Sequence, residues 1–431
     1  MTVMILRGRL LRWRADPFLD PGAPLWEEDG AVAFAEGRIA AVGPAEPVLA
    51  AHPGAEIRRR PGAVIAPAFV DAHLHYPQIG IIASWGARLI EWLTTYTFPE
   101  ECRFADAAYA GTAARAFFDE TLRNGIATCA SFCTVHPASV DAFLGEAERR
   151  GLRAIGGKVM MDRNAVEPLH DDPARGYEES RALIDRWRGR GRLDVAVTPR
   201  FAPTSSEAQL EAAGALWRER PGGLMQTHLS ENMEEVGWVG DLFPGARDYL
   251  DVYERFGLLG PGAVFGHAIH LTERERDRLA EAGASVAHCP TSNQFLGSGE
   301  CDVAGLAALG ARVGLATDVG GGSSFSMLRT MAAAYEIGQR RREPLTPAQL
   351  WWLATEGAAR ALRLDGVVGN LAEGREADAV LLDPDATPLL ALRAGRAETP
   401  EELLFALAML GDDRAVLETW SGGVRVHARD G

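Results

Sequence analysis

The chain has 431 residues, with 44 Lys and Arg against 59 Asp and Glu, a formal charge of −15, and 47% hydrophobic against 24% charged residues. That is ordinary globular composition, long enough for roughly two or three domains, or for one large α/β barrel with an appendage, and for a large core without staples. The acidic balance argues against a phosphate-tracking nucleic-acid binder and against docking on anionic lipid, and favours handling of a neutral or cationic small molecule.

Five cysteines (Cys102, Cys129, Cys133, Cys289 and Cys301) are scattered with no CxxC pair, so neither a redox motif nor a zinc ribbon is expected, and the cytoplasm is the expected compartment. Met1–Trp13 breaks its apolar stretch with Arg7, Arg9 and Arg12 and shows no signal h-region or cleavage site, so no signal peptide is expected there. No run approaches about 18 uncharged apolar residues, so no membrane span is expected.

The first 65 residues carry short apolar runs, Met4–Leu11 and Ala31–Val42, with a hairpin signal at Ala35-Glu36-Gly37-Arg38-Ile39. From residue 66 the pattern changes to eight strand-like runs alternating with helical stretches. They are Phe69–His75, Ala127–Phe132, Arg153–Val159, Asp194–Phe201, Leu224–Ser230, Ala263–Ala268, Ser285–Pro290 and Val313–Asp318. Asp106 can cap a helix that stops near Gly125, Thr204/Glu207 and Thr272/Glu275 have capping-box spacing, and Thr346-Pro347 opens another helix. The end of the chain returns to short β-like runs, Asp378–Leu382 and the hairpin signal Gly422-Gly423-Val424-Arg425-Val426. The expected fold is therefore α/β: a (β/α)8 TIM-like barrel over 66–366, with a small β-sandwich domain built from both termini, 1–65 and 367–431. A doubly wound sheet is the alternative, but no GxGxxG turn opens one.

In a barrel the chemistry sits where strands end. Ten histidines occur in the chain, and five of them (His73, His75, His228, His267 and His288) fall at the ends of these runs, with Asp318 ending the eighth. Residues i and i+2 of a strand face the same side, so His73 and His75 can share one metal ion. Taken singly, an HxH pair is more often a polar strand end and a lone histidine more often a hydrogen-bonded core residue; together the set points to a metal. Glu231, three residues past His228, is either a helix-start carboxylate facing water or, beside a metal, a general acid/base.

These residues resemble the amidohydrolase superfamily, and more closely its guanine deaminases. The resemblance covers nearly the whole chain and is carried by His73-Leu74-His75-Tyr76-Pro77-Gln78, by the run from Leu89-Ile90-Glu91-Trp92-Leu93 to Tyr96-Thr97-Phe98-Pro99-Glu100, and by Thr198-Pro199-Arg200-Phe201. Thr227-His228-Leu229-Ser230-Glu231-Asn232, His288-Cys289-Pro290-Thr291-Ser292-Asn293 and Gly314-Leu315-Ala316-Thr317-Asp318-Val319 add to it. The EWL…YTFP run is the specific part; HxH alone is not. Gln294, where the family would carry leucine, is a departure beside the seventh-run motif.

The resemblance implies one divalent metal per chain, zinc or iron(II), on His73, His75, His228 and Asp318, with His267 either hydrogen-bonding the metal's water or at the edge of the shell. Binuclear relatives have a bridging lysine on the fourth strand; here that run has none, and Lys158 sits on the third, which favours one metal. The implied reaction is hydrolytic deamination of guanine to xanthine and ammonia, by attack of a metal-bound hydroxide on C2. Glu231 would protonate ring N3 and then serve the leaving amine, while Asp318 and His267 would take the proton from the water. Gln78 would meet the N1–H and O6 edge, Arg200 would contact O6, and Phe201 would lie on the purine face; His75, His228, Glu231 and Asp318 would also touch substrate. A homodimer is implied as well. The segment from Tyr76 to Phe104, long for a βα loop, is either a packed excursion over the mouth or a lid. Two alternatives stand beside this reading: deamination of another purine, a pterin or a triazine, and a non-catalytic scaffold, which would be expected to lose ligands.

Overall fold

The computed structural model describes residues 3–86 and 88–429. Residues 1–2 and 430–431, at the outer ends of the terminal segments, and residue 87, within the 76–104 excursion, lie outside the described residues. The fold is α/β, and contacts divide it into two units: residues 1–71, 119–128 and 325–431, and residues 72–118 and 129–324.

The first unit holds a seven-stranded sheet drawn from both ends of the chain. Its order is Val424–Ala428, Val416–Ser421, Ala379–Leu382, Glu56–Pro67, Met4–Trp13, Pro24–Ala35 and Arg38–Pro44. The seam between the terminal segments is antiparallel, from Ala379 opposite Pro67 to Leu382 opposite Val64. The 4–13 strand is parallel to 56–67 and antiparallel to 24–35. Both expected hairpins are present. Glu36 and Gly37 take φ of 52° and 76°, and Gly422 and Gly423 take 56° and 74°, the positive pair that tight β-hairpins need. Leu6, Leu10, Val32, Phe34, Ile65, Leu381 and Trp420 bury one side of this sheet.

From residue 69 the eight runs follow one another in chain order. Phe69–His75, Ile126–Phe132, Arg153–Gly157 and Leu193–Val195 are neighbours in one four-stranded sheet. Met225–Leu229, Ala263–His267, Ser285–His288 and Arg312–Leu315 form a second, parallel throughout. Backbone bonds continue the series between them: Gln226 N–H donates to Val197 O at 3.0 Å, and Asp318 N–H to His73 O at 3.0 Å. The hydrogen bonding thus passes from the first run through the eighth and returns to the first, the order a (β/α)8 barrel requires.

Two runs are less regular than expected. The third breaks at Lys158 into Arg153–Gly157 and Val159–Met160, and the fourth breaks into Leu193–Val195 and Thr198–Pro199. Lys158 is drawn into a buried ion pair with Asp171, with Glu179 at 3.3 Å, and the fourth run breaks at Ala196–Val197, where Val197 keeps only an isolated bridge to Met225. Thr272 and Thr346 do start helices with capping boxes, and Asp106 accepts from Ala108 N at 2.8 Å ahead of Ala107–Arg123. Thr204 does not cap. It closes a short 3-10 turn, Ala202–Thr204, and Ser206 caps Glu207–Arg218 instead. Asp162 binds the Ser206 N–H at 2.7 Å and its hydroxyl at 2.5 Å, which moves the helix start two residues on.

The 76–104 excursion is almost all short helical pieces: Tyr76–Ile81, Leu89–Trp92, Leu93–Thr97, Phe98–Cys102 and Arg103–Ala105. Leu89, Trp92, Leu93 and Phe98 pack with Phe132, Val159, Phe201 and Leu296 in one apolar cluster. Among the described residues no helix is long and apolar enough to cross a membrane.

Candidate active site

His73 and His75 leave the same face of Phe69–His75, and both are buried. Their Nε2 atoms lie 3.3 and 3.4 Å from Asp318 Oδ1, and His75 Nε2 is 3.1 Å from His228 Nε2. The His228 Nδ1 is 2.7 Å from Arg200 O, so Nδ1 carries the proton and Nε2 presents its lone pair to the cluster. His267 Nδ1 is 2.9 Å from Asn293 Oδ1, and its Nε2 faces Glu231 Oε2 at 3.5 Å and Asp318 Oδ2 at 3.8 Å. Gly266 is the only residue type with room beside this cluster, because a Cβ there would come 2.7 Å from His73 Cε1.

The strand ends that deliver these groups are bent out of the strand conformation. Ser230, His267, Ala268 and Asp318 have φ of 48°, 68°, 49° and 49°, left-handed backbone that non-glycine residues adopt only when the surroundings over-determine it.

Burial pushes the imidazoles of His73, His75 and His228 down, well down for the last two, with neighbouring positive groups adding to the effect. Burial alone would raise Asp318, but the His73 hydrogen bond and the charges of His267 and His73 outweigh it and hold the carboxyl at about 2. Burial would lower His267, yet Glu231 and Asp318 carry it above its ordinary value. Glu231 is raised by burial, with Asp318 adding to it. The cluster therefore gathers the imidazoles of His73, His75 and His228, whose burial favours the neutral form, beside the Asp318 carboxylate, with His75 Nε2 and His228 Nε2 3.1 Å apart. Neutral imidazole nitrogens and a carboxylate oxygen at this range are the donors a divalent metal takes, so the residues present fit one.

His75, Gln78, Arg200, Phe201, His228, Glu231, His267 and Asp318 line one pocket together with Leu89, Trp92, Leu93, Leu296 and Gly321. Of the residues expected to bind metal or substrate or to act in catalysis, His73 alone does not line it. Lys158 is engaged with Asp171 and Glu179. His288, the fifth strand-end histidine, is outside the cluster: it is fully buried, neither ring nitrogen has a hydrogen-bond partner among the described residues, and burial pushes it down to about 3. Gln294, on the helix Pro290–Phe295, does not line the pocket; Leu296, two residues on, does.

Several residues of the site were not read from the sequence. Cys289 lies with His73, His267 and Asp318 among the groups close enough to share an ion. Ser298 Oγ donates to Glu231 Oε1 at 3.0 Å. Glu235, raised to about 7 chiefly by burial and then by Glu231, accepts the N–H of Glu231 at 2.9 Å and the Tyr249 hydroxyl at 2.6 Å. Glu101 accepts from Arg200 Nη1 at 3.0 and 2.7 Å and from Gln78 Nε2 at 2.9 Å. Only the last had a sequence signal: an arginine read as buried in a pocket requires a carboxylate, and Glu101 directly follows the Phe98-Pro99-Glu100 motif.

The amidohydrolase family profile matches residues 64–426. A probable guanine deaminase of Deinococcus radiodurans is 45% identical over 434 residues, covering 99% of this chain and 99% of that protein. The solved structure of E. coli guanine deaminase superposes with a TM-score of 0.97 at 41% identity, covering 99% of this chain and 100% of that one. A guanine deaminase from C. acetobutylicum with bound guanine in the active site gives a TM-score of 0.90 at 26% identity, covering 99% and 100%. The chain belongs to the amidohydrolase family.

Proposed function

We propose that this protein is a guanine deaminase, a hydrolase converting guanine and water to xanthine and ammonia. The observation that carries this reading is one pocket in which Arg200, a donor for a ring carbonyl, and Gln78, whose Oε1 can accept from a neighbouring ring N–H, lie together with Glu231 and the His/Asp cluster. The full-length similarity to guanine deaminases supports it. His73, His75, His228 and Asp318 would hold one divalent ion, zinc or iron(II), whose contribution is Lewis-acid activation of water.

The chain's own groups account for the rest. The attacking oxygen bonds to C2 and gives its proton to Asp318 with His267, the one group held ionised and the other held nearby. Glu231, raised by burial, keeps a proton in the range where an ordinary glutamate has lost it, and delivers it to ring N3. As C2–N breaks, Glu231 takes the proton of the new C2 hydroxyl as it becomes the carbonyl, passes it to the departing amine, and is reset by the proton lodged on Asp318 and His267. Phe201 and Leu296 supply apolar walls, and Arg200 anchors O6. Residues 66–366 carry the chemistry in this reading, with 1–65 and 367–431 forming the accompanying β domain. The five unpaired cysteines suit a cytoplasmic protein, and the family resemblance carries the homodimer.

The direct test is guanine turnover followed by ultraviolet absorbance, with metal content measured on the same sample. An ammonia-release panel of purines, pterins and triazines separates guanine from the alternative rings. Retained metal with no turnover of any of them would favour a scaffold.

Arg200→Met is expected to lower kcat/KM for guanine roughly 10- to 150-fold, the value of a hydrogen bond to a charged group. For 2-aminopurine, which has the leaving amine but no O6, the loss should be much smaller. Equal losses on both would mean that Arg200 supports the fold and does not read O6.

Gly266→Ala tests the packing behind the metal cluster. The added Cβ must displace the His73 ring, so metal content and kcat should fall together, by about tenfold or more, in a protein that still folds. Metal content equal to the parent protein's would show that the ring can move without consequence.

A further inference from the structure

Arg200 is a guanidinium only 3% exposed on the pocket wall, and a lone cation there would draw any anion that entered. It is not alone. Glu101, 1% exposed, takes two hydrogen bonds from its Nη1. The same carboxylate takes Gln78 Nε2. A carboxylate can only accept, so the Gln78 amide must turn its nitrogen toward Glu101, leaving Oε1 on the other side, 3.4 Å from Gly320 N. Arg200 Nη2 and Nε have no hydrogen-bond partner among the described residues and are the donors open to substrate. Phe98 lies against the guanidinium at 5.6 Å.

We infer that Glu101 is a specificity-determining positioning residue that cancels the charge of Arg200, so that the pocket retains a neutral oxopurine and releases an anionic one. This rests on the guanine deaminase reading, whose substrate is neutral. Its product carries a second ring carbonyl and an added imide N–H, and the conjugate base spreads its charge over both oxygens, so xanthine loses a proton far more readily than guanine. With Glu101 in place, Arg200 offers hydrogen bonds but the pair offers no net charge. Without it, an unbalanced cation faces the xanthine anion inside a buried site, where Coulomb attraction is least screened. Product would then be held, and turnover would stall on release. Glu101 would act on the reaction without touching the reacting atoms.

The test compares the metal-loaded parent protein with Glu101→Gln and Glu101→Asp in mildly alkaline buffer, measuring kcat and KM for guanine and Ki for xanthine. In Glu101→Gln, xanthine should bind roughly tenfold or more tighter relative to guanine, from one unbalanced charge at hydrogen-bond range. Guanine KM should rise as Gln78 loses its fixed orientation. Glu101→Asp keeps the charge but withdraws it by one methylene, and should shift the same ratio less. General loosening of the pocket weakens both ligands and cannot tighten one of them. A xanthine Ki that stays level or rises in both variants overturns the inference, and if Glu101→Gln does not fold, Glu101→Asp alone decides. Equilibrium binding of guanine and xanthine to the same proteins reads the charge effect without turnover. Failure of the parent protein to release ammonia from guanine overturns the functional reading separately.

Discussion

Glu231→Gln is expected to cut kcat for guanine by about 10²–10⁴-fold, equivalent to about 3–5 kcal/mol of barrier, while leaving the metal in place. The substitution keeps the shape of a side chain that is 3% exposed and can still accept the Ser298 hydroxyl. What it removes is the proton. The backbone of residue 231 stays held by Glu235 through the N–H bond at 2.9 Å, so the side chain should remain in position. Metal content and kcat measured on one preparation decide the matter. Near-normal kcat would reduce Glu231 to a helix-start residue, whereas loss of metal along with activity would place it among the ligands.

Replacing His73 with Ala should have a larger effect, with metal content and turnover lost together. His73 belongs both to a group with His75 and His228 and to a group with His267, Cys289 and Asp318; on the proposed ligand set of three imidazoles and one carboxylate, about one zinc or iron per chain is expected in the parent protein, and a strong chelator should abolish its activity. His73 does not line the pocket, so its loss leaves the substrate wall intact and isolates metal binding. Its ring is also packed, 4.8 Å from the His228 ring and 4.9 Å from Phe132, so the variant's fold should be checked by thermal unfolding with and without added zinc. Two metals per chain at full occupancy in the parent protein would sink the single-ion assignment.

The parts of the site legible in the sequence were those set by periodicity. A strand alternates its faces, so His73 and His75 could be placed together from spacing alone, and histidines ending three other runs could be placed on the same rim as Asp318. The same logic drew in His288, which ends its run but joins no cluster, because a strand end says where a side chain begins and not what meets its far atoms. Glu101 shows the opposite limit. Its meaning lies in an ion pair with Arg200, 99 positions away, and no local pattern encodes that. Asn293, on the helix Pro290–Phe295, and Ser298, just past it, hold His267 and Glu231 along a path that depends on tertiary packing. Thr204 failed as a cap for a similar reason: the spacing with Glu207 was right, but Asp162 holds Ser206.

The seam between the 56–67 and 379–382 strands sets the timing of synthesis. Its two sides are separated by about three hundred residues of chain, so the inner edge of the N-terminal strands waits unpaired while the ribosome makes everything between. During that interval the 56–67 strand presents open backbone donors and acceptors along Val64–Pro67, the kind of edge on which nascent chains stick to one another. The nascent protein is thus most exposed to misassembly before Ala379–Leu382 emerges, and a premature stop anywhere upstream of that strand leaves the edge bare for good, whatever the state of the metal site.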